Sequence, residues 1–96
     1  MNVTERAIGQ VVTSRAGRDR GRSFLIVGVY DDNHVLVADG VLRKMQNPKK
    51  KKLRHLTMEN AEAEGIREKL SSGEQVLDAD VRKSLHRLGY DPKAQE

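Results

Sequence analysis

Between Ala7 and Leu56 no stretch longer than about eight residues is free of a turn signal. Helices of ordinary length do not fit between such signals, whereas strands do. Ala7–Ser14 (A-I-G-Q-V-V-T-S) is rich in Val, Ile and Thr and reads as a strand kinked or bulged at Gly9. Arg15–Arg22 carries two glycines among four arginines and reads as a basic turn. Ser23–Tyr30 is a strongly apolar strand, Asp31-Asp32-Asn33 a hairpin turn, and His34–Ala38 the returning strand. Asp39-Gly40 is a second tight turn, Val41–Met45 a fourth strand, and Leu53–Leu56 a fifth after the Asn47-Pro48 break and four lysines. Five short strands so closely spaced predict a mainly β domain closed into a small barrel, since closure removes exposed edges. The expected core is Ile8, Val11 or Val12, Phe24, Ile26, Val27, Val29, Val35, Val37, Leu42 and Leu56.

After Leu56 the pattern changes period. Thr57 is placed to cap a helix with Glu59, Glu62 and Glu64 in its first turns, where the helix dipole favours acids. Ala63, Ile66 and Leu70 form its apolar stripe, and Ser71-Ser72-Gly73 ends it. Asp78 is placed to cap a second helix in which Val81, Leu85 and Leu88 recur at helical spacing, with Leu77 one turn ahead and Gly89 as the terminating residue. The chain beyond Asp91-Pro92 is polar and expected to be disordered. The organisation predicted is therefore a β-barrel over residues 1–56 and a two-helix acidic C-terminal extension over 57–96.

Charge divides the chain at the same place. Residues 1–56 hold twelve Lys and Arg against five Asp and Glu, a net of +7; residues 57–96 hold six against nine, a net of −3. A basic domain with an acidic tail points to a polyanionic partner for the domain. The basic residues sit in turns and a strand-like segment, not on an amphipathic helix, so nucleic acid fits better than a membrane surface. The sequence has no cysteine, hence no disulfide framework or thiolate metal site, and its apolar runs are too short to span a bilayer. Met1–Gln10 contains Glu5 and lacks the apolar region of a secretory signal, so a soluble cytoplasmic protein is expected.

The glycines of Arg15–Arg22 allow the loop to fold back on itself, from which Arg15, Arg18, Arg20 and Arg22 are near enough to grip neighbouring phosphates with bidentate guanidinium bonds. Residues 9–40, G-Q-V-V-T-S-R-A-G-R-D-R-G-R-S-F-L-I-V-G-V-Y-D-D-N-H-V-L-V-A-D-G, resemble a KOW motif. With L-R-K and N-P-K-K-K-K downstream, the stretch is most similar to one KOW branch: the archaeal and eukaryotic large-subunit ribosomal proteins of the fourteen-e type and their short bacterial relatives. The resemblance implies an SH3-like barrel that docks on ribosomal RNA, with Gly17 as the turn glycine and Arg18, Arg20 and Arg22 contacting the backbone. Arg43, Lys44, Lys49, Lys50, Lys51, Lys52 and Arg54 would extend that surface. In a strand, alternate lysines of 49–52 would face opposite sides. Residues 57–96 match nothing in the ribosomal relatives.

Aromatic residues are few. Phe24 is expected in the core, Tyr30 packed at a hairpin edge, and Tyr90 over the end of the last helix. So few rings favour recognition of RNA shape and phosphates over reading of unpaired bases. His34, His55 and His86 are dispersed and have no cysteine partner, so no metal site, cofactor site or catalytic residue is proposed. The expected function is RNA binding as a ribosomal or ribosome-associated factor. The alternative is a protein-interaction adaptor using the SH3-like barrel and the acidic helical tail, which through Leu77, Val81, Leu85 and Leu88 would contact a ribosomal protein, a polymerase or a second copy of the chain.

Overall fold

A computed structural model describes residues 5–92. Met1–Thr4, part of the segment read for a leader, and the polar end from Lys93 lie outside the described residues. The described residues form one five-stranded antiparallel sheet followed by two helices: β1 (Gln10–Ser14), β2 (Ser23–Asp31), β3 (His34–Ala38), β4 (Lys49–Lys52), β5 (Leu56–Glu62), α1 (Glu64–Ser71) and α2 (Asp78–Arg87). The strand order is β4-β3-β2-β1-β5. No helix of the described residues is long and apolar enough to cross a membrane.

The two edges of this sheet are neighbours in sequence. Only a 3-10 turn, Leu53–His55, separates β4 from β5. In a flat sheet the edges would lie about 19 Å apart, four interstrand spacings. A 3-10 segment rises only about 2 Å per residue. The sheet is therefore strongly curled. Its inner face holds Val12, Phe24, Ile26, Val35, Val37 and Leu56. Its outer face packs Val11 and Leu25 against Ala63, Ile66, Val76, Val81 and Leu85 of the helical segment. β2 thus contributes to both faces, Phe24 and Ile26 inward and Leu25 outward, which is why its sequence is a continuous apolar run and not an alternating one.

Two of the expected strands are elsewhere. Val41–Met45 is not a strand, because the Asp39 carboxylate captures it: Oδ1 accepts the amide N–H groups of Val41, Leu42 and Arg43, each at 2.9 Å. Those donors are lost to any ladder, and Leu42, expected in the core, is 53% exposed. The fourth strand is the lysine run itself, with Lys49, Lys50, Lys51 and Lys52 opposite Val37, Leu36, Val35 and His34. Leu53–His55 is a 3-10 turn leading into β5, and the fifth strand begins at Leu56, where it was expected to end. Thr57, expected to cap a helix, instead pairs with Thr13 of β1, as Met58 does with Val12. The Gln10 side-chain amide donates to the carbonyls of Glu59 and Ala61 and holds the far end of β5. A sheet of residues 1–56 alone would lack β5.

The glycine kink is present. Gly9 has φ +94°, and the β1–β5 register shifts between Gln10 and Val12. Gly9 also joins the layers, donating to the Ile26 carbonyl and accepting from the Ala63 amide, both at 2.7 Å. α1 opens with Glu64 in its first turn, as acids there should. Asp78 is the first residue of α2, not its cap; Asp80 accepts the Leu77 N–H at 2.9 Å, while Asp78 accepts the Met45 N–H at 2.7 Å and ties α2 to the β3–β4 connection. Gly89 terminates α2 with φ +92°.

Candidate nucleic-acid interface

The β1–β2 loop is a built structure. The ladder continues into it: Ser14 N–H donates to Arg22 O at 2.9 Å and Gly21 N–H to Ser14 O at 2.8 Å. Arg22 N–H then donates to Asp19 O at 2.9 Å, closing a tight turn. Gly17 (φ +75°) and Gly21 (φ +87°) supply the left-handed torsions this turn requires.

Asp19 faces inward from the loop and is buried. Its Oδ2 accepts Nη2 and Nε of Arg43 at 3.0 and 3.3 Å and lies 3.1 Å from Nζ of Lys51. Burial alone would raise its pKa, but the hydrogen bonds and charges of Lys51 and Arg43 outweigh that and hold the carboxyl below its ordinary value. Asp39, also buried, pairs through Oδ2 with Nη2 of Arg22 at 3.4 Å. Among the described residues, Oδ1 of Asp19 and Nε of Arg22 are buried without a hydrogen-bond partner.

The twelve candidate residues therefore separate into two groups. Arg15, Gly17, Arg18, Arg20, Lys44, Lys49, Lys50, Lys52 and Arg54 are exposed. Arg22, Arg43 and Lys51 are partly buried and are committed to the two aspartates. Asp19 and Asp39 are the internal anchors of these cations. The lysines do alternate: Lys51 reaches Asp19, whereas Lys50 lies over the ring of Tyr30.

The loop and β4 meet. Arg15 N–H donates to His55 O at 2.7 Å. Ala16 and Gly17, the four lysines, His34 and His55 line one shallow cleft of about 390 Å³. Ala16, His34 and His55 are the members of this cleft outside the twelve candidates; the two histidines have no local pattern that places them there, since β3 and the 3-10 turn carry them. Among the described residues no group of His, Cys, Asp or Glu is arranged to hold a metal ion.

The apolar stripe assigned to a partner is occupied within the chain. Val81 and Leu85 are fully buried against the sheet and Leu88 packs beside them, leaving Leu77 exposed. Of the acids in the C-terminal segment, Glu62 and Glu64 pair with Arg67, and Asp80 with Lys69. No protein-family model matches the sequence, and a search of curated proteins finds no match.

Proposed function

We propose that this chain binds structured RNA by phosphate contacts from the β1–β2 loop and β4, as a KOW-type SH3-like barrel associated with the large ribosomal subunit in the cytoplasm. The observation that carries the reading is that the β1–β2 loop, through Ala16 and Gly17, lines one cleft with Lys49–Lys52, while Asp19 ties that loop to Lys51 of β4 and to Arg43. Cations on a preorganised base lose less freedom on binding than cations on a mobile loop. The strand order, with β1 between β2 and β5 and the two edges joined by a 3-10 turn, supports an SH3-like closure. The adaptor reading has less support, because its two central side chains, Val81 and Leu85, are inside the core.

Salt dependence tests the proposal. With about five phosphate contacts, affinity for a structured ribosomal RNA fragment should fall a few hundred-fold between about 50 and 200 mM salt. The double variant Arg18→Gln/Arg20→Gln should bind more weakly and flatten the log–log slope by roughly 1.5 to 2. The control Lys83→Gln/Arg87→Gln, on α2, should leave both unchanged. A protein that ignores structured RNA at about 50 mM salt, or a slope unmoved by the loop variant, would refute it.

A further inference from the structure

The helices cover only part of the outer face of the sheet. They pack on Val11 and Leu25, with Val27 at the margin. Where the β2–β3 hairpin meets β4, the same face carries Tyr30, His34, Leu36, Lys50 and Lys52. The register places them there: Val35 and Val37, on the inner face, oppose Lys51 and Lys49, so Leu36 with Lys50 and His34 with Lys52 face outward. Tyr30 is 58% exposed and is not the packed hairpin-edge residue expected of it. Nζ of Lys50 stands 4.5 Å from its ring centroid, and the His34 ring meets it edge-on at 6.3 Å. His34 is itself held by Asp31, Nδ1 to Oδ1 at 2.8 Å.

An exposed ring that already attracts a cation to its π-face offers a stacking surface. The surroundings select what stacks. His34 and Lys50 also line the cleft between loop and β4, so the ring borders the cleft that all four lysines of β4 line. A partner there must combine flat rings with a run of anions, which is the chemistry of a nucleic acid strand. Bases within a duplex have both faces occupied by their neighbours, so a lone ring can take only an unpaired base. We propose that Tyr30, flanked by Lys50 and His34, is a stacking platform for one unpaired nucleobase of an RNA whose backbone lies along the basic cleft. The proposal rests on the RNA-binding reading and extends it from phosphates to one base. As the base arrives, the Lys50 ammonium, on its flexible stem, moves from the ring to a flanking phosphate.

The test uses the full chain and two RNA hairpins with the same stem. One is fully paired; the other carries a single unpaired adenine, replaced for spectroscopy by 2-aminopurine. Wild type should prefer the bulged hairpin and quench the 2-aminopurine fluorescence. Tyr30→Phe should keep both properties. Tyr30→Ser should lose affinity for the bulged hairpin by roughly 5- to 100-fold and lose the quenching, with the paired hairpin unaffected. Equal binding of both hairpins by wild type, or unchanged quenching in Tyr30→Ser, would overturn the platform while leaving the phosphate reading intact. Equal loss on both hairpins would make Tyr30 a general structural residue and also overturn it. Failure of wild type to bind either hairpin would remove the phosphate reading and the platform with it.

Discussion

Asp19 keeps a negative charge where water barely reaches it, at the foot of a loop rich in arginine. Removing one partner of a fully buried ion pair costs about 3–5 kcal/mol. Arg43 retains partial exposure, so Asp19→Asn should destabilise the fold by about 2–3 kcal/mol at neutral pH, read by urea unfolding. The pH dependence follows from the direction of the pKa. The folded carboxyl lies below 3.8, held there by Lys51 and Arg43 against its own burial. Its stabilisation is therefore complete above the ordinary carboxylate range, and is lost as pH falls from about 4 through the lower folded value. The Asn variant should lack that part of the acid transition; an acid titration with the wild-type shape would show that Asp19 is not the group responsible.

At the scale of elements, the contacts between sheet and helices depend on glycines that are not interchangeable. Gly17 and Gly40 have nearly the same torsion, φ +75° and +78°. A Cβ at Gly17 meets nothing within 4 Å, whereas one at Gly40 would strike the Asp78 carbonyl and come within 2.9 Å of Cγ of Arg82. Arg82 also donates to the Gly40 carbonyl at 2.8 Å, so Gly40 is where α2 docks on the turn after β3. Gly17→Ala should cost about 1–2 kcal/mol, the left-handed strain alone. Gly40→Ala should cost about 3 kcal/mol or more, because backbone must move to relieve the overlap. Equal losses in chemical denaturation would contradict this account of the α2 docking.

For the whole molecule, the sheet and the helical segment share one core. Ala63, Ile66, Val76, Val81 and Leu85 complete the outer layer against Val11 and Leu25, and β5 pairs along β1. A chain ending at Leu56 would expose that layer and leave an edge of β1 unpaired. It should fail to give a cooperative thermal transition or dispersed amide resonances. A truncated chain that folds and binds RNA like the full protein would show instead that the helices are dispensable.

The strands that sequence alone locates are β1, β2 and β3, where β-branched runs end at local signals: Gly17 and Gly21, Asp31-Asp32-Asn33, and Asp39-Gly40. The end of α2 at Gly89 was legible for the same reason. Each depends on torsions or caps that a residue and its near neighbours decide. β4 and β5 were not legible. Four consecutive lysines and T-M-E-N-A-E have weak strand propensity, and they are strands because β3 and β1 offer them open ladders, many residues away. The candidate site divides in the same way. Its positive charge and its turn glycines are written in the sequence. Which cations face solvent is not, because Arg22, Arg43 and Lys51 turn inward only once folding brings Asp39 and Asp19 within ion-pair distance. The order of residues determined that this chain carries a basic turn between two strands; only tertiary packing, by burying two carboxylates, decided which of its arginines and lysines remain exposed to meet a phosphate.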